Sequence, residues 1–192
     1  MESETKPQFT FSTFLNLNSH YGALILRSTN ILFFIGIILT GFIAGIGFVN
    51  AIGFLPAAED TSLAGFVEYW KNLDRYMMVR MPILGWSIIV TSIAILVLLF
   101  REKPFPKVEF SLVALSLLML ISDIFLVLTK NQPINELLRG LDLNQKAPES
   151  FLILKEQALQ TFYLRSIDMI LCNVFMVLAY FVYTNRMQRS KN

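Results

Sequence analysis

The chain has 192 residues, 55% of them hydrophobic and 16% charged, with a formal charge of +2 and a mean hydropathy of +0.57. A soluble domain carries roughly 25% charged residues, so this composition excludes a water-solvated surface and indicates an integral membrane protein. The mild charge without a basic run excludes nucleic acid as a partner. One cysteine, Cys172, and one histidine, His20, exclude an intrachain disulfide, a CxxC redox pair and any cysteine-based or multi-histidine metal cage.

The leader, residues 1–30, mixes Phe9, Phe11, Phe14, Leu17 and Tyr21 with small polar residues, which fits either a helix lying in the membrane interface or a partly ordered tail. No charge occurs between Arg27 and Glu59, and residues 31–54 are almost wholly apolar. That stretch exceeds the about 7–15 residues of a signal-peptide core, so it is expected to stay as the first span. Gly36, Thr40, Ala44, Gly47 and Ala51 form a stripe of small residues along it, with Gly41 and Gly45 adjacent, a pattern that lets helices approach closely in lipid.

Loop one contains FVEYWKNLDRYMMVRM, in which Phe66, Tyr69, Leu73, Tyr76 and Met77 recur at helical spacing beside charged residues. It predicts a short amphipathic helix capping the bundle. Span two covers about 82–100, with Pro82 near its first turn, where a missing N–H costs least. Span three, about 108–129, has its apolar stretch bounded by Glu109 and Lys130 and interrupted by one acid, Asp123. After it, INELLRGLDL predicts a second short helix ending near Gly140, and SFLILKEQALQTFYLR leads helically, with Ser150 as N-cap, into span four at about 165–185. Residues 186–192 form a basic tail. The fold class is therefore all-α: a four-helix integral membrane bundle over residues 31–185, with short amphipathic helices in the two long loops and at the N-terminus.

The compact RxKPFPK turn and the RMQRSK tail place the short basic segments, and both termini, on the cytoplasmic side. The opposite face collects the two long loops, the end of span three and the start of span four. Any site is expected there, since the cytoplasmic face has only a tight turn and tails. Asp123 lies seven residues before Lys130, about 10 Å along a helix axis from the charged end. An acid at that depth faces the bundle interior or a wet cavity, as a functional group or as a helix–helix hydrogen bond to Ser87, Thr91 or Ser92. Arg165 and Asp168, three apart, share a helical face and can neutralise each other.

The segment LVLTKNQPINELLRGLD, with an arginine opening the last span, resembles the anthrone oxygenase-like family of small four-helix membrane proteins. An Asn-x-Pro-x-Asn motif follows span three in that family, matched by Asn131, Pro133 and Asn135, and a Trp-x-His-x-Arg-type motif opens span four, matched at Arg165. The ILTGFIAGIGF stretch, the aromatic segment with Trp70 and Tyr76, and RMPILG from Arg80 to Gly85 also resemble its bacterial members. The histidine and tryptophan positions hold Tyr163 and Thr161 instead. The resemblance implies a bacterial inner-membrane protein. Fungal members are thought to oxidise a tricyclic aromatic polyketide with molecular oxygen and no bound cofactor. Such chemistry needs a base to make an electron-rich anion and donors to hold it. Histidine suits the first role, and tyrosine does so only with a lowered pKa.

Two readings follow. In one, Trp70, Asn131, Asn135, Arg165 and Asp168 bind an oxygenated aromatic or quinone-like small molecule, with Asp123 or Tyr163 moving protons and with neither metal nor cofactor. In the other, which the missing histidine favours, the same residues lock the loop helices onto the bundle. The protein is then a non-catalytic membrane component that contacts the bilayer and other membrane proteins. The topology itself is testable by labelling. Cysteine placed at Lys103 is expected to react only from the cytoplasmic side and cysteine at Gln145 only from outside; reaction of both from one side eliminates the four-span topology.

Overall fold

In lipid the backbone must satisfy its own hydrogen bonds, so each charge-poor stretch folds as the centre of a long helix. The structure, a computed structural model, describes residues 11–140 and 150–189, with side chains over 25–140 and 151–189. Its helices are α1 (Phe11–Val49), α2 (Leu55–Asp60), α3 (Leu63–Arg101), α4 (Lys107–Leu126), α5 (Gln132–Arg139) and α6 (Ser150–Arg189). Four stretches are long and apolar enough to cross a membrane: Ile25–Asp60, Leu63–Arg101, Lys107–Arg139 and Phe151–Arg189. Among the described residues there is no strand, and the chain is an all-α membrane bundle. The leader from Phe11 onward is continuous with span one, and the Ser150 side chain, expected as a cap, lies outside the described side chains.

The expected separate helix in loop one is instead the first half of α3. Ser62 Oγ accepts a hydrogen bond from the Gly65 N–H at 3.3 Å, and the helix then runs 39 residues to Arg101. Pro82 therefore sits inside a helix, not at its first turn. An interior proline costs about 3 kcal/mol. Burial of Phe66, Val67 and Trp70 against Leu55, Ile134 and Ala158 outweighs it, because that packing holds the amphipathic half in line.

Prolines act differently at the ends of spans one and three. Each span ends in a π turn, Asn50–Phe54 and Val127–Asn131, and each turn is followed by a short helix with proline in its first turn, Pro56 in α2 and Pro133 in α5. The wide turn carries Leu55 N–H to Asn50 O and Gln132 N–H to Val127 O. A regular helix would drive each proline ring into the carbonyl four residues back. Gln132, the residue before Pro133, therefore stays helical, with φ −61° and ψ −45°, although a following proline disfavours that region. The second predicted short helix is α5, ending at Gly140 as the sequence suggests.

α6 is the centre of the bundle. It packs antiparallel on α4, where Asp123 meets Arg165 and Ser116 meets Cys172, and antiparallel on α1, where Thr40 meets Asn173 and Gly47 meets Ser166. α3 closes the ring against α1 and α4. Apolar layers separate the polar contacts: Ile43, Ile88, Leu120 and Met169 in one, and Phe33, Ile95, Leu99, Val113 and Met176 in another.

The α1–α6 approach depends on Gly47. A Cβ there would lie 2.9 Å from Ser166 O and 3.0 Å from Met169 Cβ, whereas at Gly45 and Gly53 it would meet nothing within 4 Å. Gly47→Ala is expected to lower the melting temperature in detergent, at a cost of about 1–3 kcal/mol from overpacking. Gly45→Ala, measured alongside, should leave it unchanged; equal effects would mean that the stripe does not set the approach.

Candidate functional site

The residues singled out from sequence are organised by a seam between α4 and α6. On α4, Glu109, Ser116 and Asp123 are spaced seven apart; on α6, Arg165, Cys172, Ala179 and Arg186 are also spaced seven apart. A seven-residue repeat keeps one edge of each helix facing its partner, so these residues meet in order along the antiparallel pair. At one end Arg165 Nε donates to Asp123 Oδ1 at 2.7 Å, with both side chains about nine-tenths buried. In the middle Ser116 Oγ donates to Cys172 O at 2.7 Å. At the other end Arg186 Nε donates to Glu109 and Nη2 to Glu102, each at 2.5 Å.

Asp123 thus faces the interior, as its depth requires, but its partner is Arg165 on α6 and not a hydroxyl of span two. Ser87 and Thr91 bond carbonyls of their own helix. Arg165 accordingly does not pair with Asp168. That carboxylate makes no hydrogen bond to another described residue, and it is half-buried beside the pair. The physical reason is reach: a cross-helix contact removes both charges from lipid, whereas a pair on one helix face leaves both at its surface.

Arg165 and Asn135 belong to two separate hydrogen-bonded groups. Trp70 Nε1 donates to Asn135 Oδ1 at 2.7 Å, Asn135 Nδ2 donates to Asp74 Oδ1 at 2.7 Å, and Arg139 Nε donates to Asp74 Oδ2 at 2.7 Å. This chain ties α5 onto α3. Phe162 joins the two groups, since its ring packs edge-on to Trp70 at 4.8 Å and lies under the Arg165 guanidinium at 5.0 Å. Asn131, in the π turn, is buried, and its Oδ1 has no hydrogen-bond partner among the described residues.

Tyr163, placed where the resembled family has its histidine, is 54% exposed on the outside of α6. It does not reach the Asp123–Arg165 pair. It lines an open groove of about 800 Å³ between α6 and the α1–α2 corner, together with Ala51, Leu55, Glu59, Lys155 and Gln160. Among the described residues no three His, Cys, Asp or Glu side chains converge as metal ligands.

Sequence reasoning missed the opposite end. The expected bare turn and tail hold a buried network: Glu102 and Glu109 flank Arg186, whose guanidinium lies 5.4 Å from the ring of the fully buried Tyr183. Arg186 belongs to α6 and not to a tail. The placement of acids on one span and arginines on the other at multiples of seven residues was the available signal.

The inward pair makes a direct prediction. Asp123→Leu strands a buried arginine and should destabilise the detergent-solubilised chain by about 3–5 kcal/mol, far more than Phe125→Ala on the lipid face. Adding Arg165→Met to Asp123→Leu should recover most of that loss. A double variant as unstable as Asp123→Leu alone would separate the pair from the effect.

A scan against protein-family models, a search of curated proteins and a search of solved structures each found no match to this chain.

Proposed function

We propose that the protein is a non-catalytic integral membrane component, and that its loop-rich end is a structural clasp. The observation that carries this reading is that Asp123 and Asn135 are each engaged by partners within the chain. The Asp123 carboxylate is held by Arg165, and Asn135 is held by both Trp70 and Asp74. Oxygenation of an aromatic substrate without a cofactor needs an unengaged base inside an enclosed pocket. Asp123 is engaged, and Tyr163 looks outward into an open groove. The resemblance to the anthrone oxygenase-like family then concerns the scaffold and its Asn-x-Pro-x-Asn corner more than the reaction.

One observation favours a second reading, a binding protein for an oxygenated aromatic or quinone-like molecule. The buried Asn131 Oδ1 would accept a hydrogen bond from a ligand hydroxyl. The two readings separate in one experiment. The full chain and its Asp123→Leu/Arg165→Met variant are purified in mild detergent, and bound small molecules and proteins are identified by mass spectrometry. A component is expected to keep its fold and its protein partners in the variant, with no stoichiometric aromatic ligand in either sample. A stoichiometric aromatic ligand that is lost from a folded variant overturns the reading.

A further inference from the structure

We propose that the groove between α2 and α6 seats one zwitterionic phospholipid with a primary-amine headgroup. This goes beyond the clasp role, because none of the clasp hydrogen bonds lies in the groove. Its depth comes from the helix registers. Asp123 is level with Arg165, so one heptad further Lys130 is level with Ala158; Gly47 is level with Ser166, so Leu55 is level with Ala158 as well. Lys130 lies at that level and Glu59, Lys155 and Glu156 lie just outside it, so the groove crosses from the paired interior charges to exposed ones.

Along the groove the chemistry changes in the order of a lipid. Inside an apolar rim at Leu152, Glu59, Lys155 and Glu156 stand toward the outer end, Gln160 and Tyr163 lie deeper, and Ala51 and Leu164 close the inner end. The lining stripe of α6, from Leu152 to Leu164, is about 18 Å long. The volume of about 800 Å³ lies within the usual range for a ligand site.

Charge selects the headgroup. Lys155 Nζ donates to Glu59 O at 3.0 Å and to Thr61 O at 2.7 Å and lies 5.6 Å from the Phe66 ring centroid, so it caps the end of α2 and is engaged within the chain. The Glu59 carboxylate makes no hydrogen bond to another described residue, and Glu156 accepts only a long one from Gln160, at 3.4 Å. The mouth therefore carries two exposed carboxylates against one engaged ammonium. An ammonium with N–H donors satisfies both acids, a trimethylated one lacks the donors, and an anionic head is repelled. The Tyr163 hydroxyl and Gln160 amide then stand where phosphate and ester oxygens arrive, and the apolar inner end takes the start of an acyl chain.

The test is native mass spectrometry of the full chain in mild detergent after incubation with equimolar phosphatidylethanolamine, phosphatidylcholine and phosphatidylglycerol. One phosphatidylethanolamine should be retained about fivefold over phosphatidylcholine, as two solvent-screened charge-assisted bonds allow. Glu59→Gln with Glu156→Gln should abolish that preference without changing the melting temperature, since both residues are exposed. Glu136→Gln, outside the groove, should leave it intact. Equal retention of the three lipids, preference for phosphatidylglycerol, or a preference that survives in the double variant would overturn the proposal.

Discussion

The α4–α6 seam is the constraint on which the rest of the bundle depends. Lipid offers no hydrophobic pressure between spans, so register must come from close packing and from polar groups that cannot face hydrocarbon. Here an ion pair sits near each end of the same seam, Asp123 with Arg165 and Arg186 with Glu109 and Glu102, and the Ser116–Cys172 contact lies between. A buried ion pair adds little over an apolar pair of equal volume, but a slip by one residue would turn several charges out of register at once. The energetic weight therefore falls on excluding alternative registers.

With α4 and α6 fixed, the other elements have little freedom. α1 is drawn against the opposite side of α6 by Gly47 and by Asn173, which donates to Thr40 Oγ1 at 2.9 Å. α3 fills the remaining side, and its amphipathic first half is held by the Trp70–Asn135–Asp74–Arg139 chain. The π turns before Pro56 and Pro133 carry the chain from spans into the short helices α2 and α5. The loop-rich end thus acquires its own apolar core, with Leu55, Phe66, Trp70, Leu138 and Leu159, above the membrane seam. Its side wall against α6 is left as the groove.

The four spans were legible because charge in hydrocarbon is decided by solvation, a local property of the sequence. The inward orientation of Asp123 follows from the same cost. Its partner did not, because Asp168 lies three residues from Arg165 and nearness along the chain hid the cross-helix alternative. The heptads of α4 and α6 carried that information, but charges at multiples of seven residues are informative only once both helices are considered together. The fusion of the loop-one helix into α3 was hidden by Pro82, which reads as a boundary, while the packing that overrides it involves α2, α5 and α6. The buried Glu102–Glu109–Arg186 network was hidden because basic residues beside short turns report topology, and the same residues can also face inward. The exposure of Tyr163 depends on the face that α6 turns to α1, which the motif alone does not specify.

The register itself can be measured with one new cysteine. Ser116 Oγ lies 3.4 Å from Cys172 Sγ, so Ser116→Cys places a second thiol against the native one. Mild oxidation, or a short thiol-bridging reagent, applied to the full chain in its membrane should link the introduced thiol to that of Cys172 rapidly within one chain, while Leu118→Cys, which faces lipid, should not link. Cross-linking at Leu118→Cys with none at Ser116→Cys would contradict the seam and the register built on it.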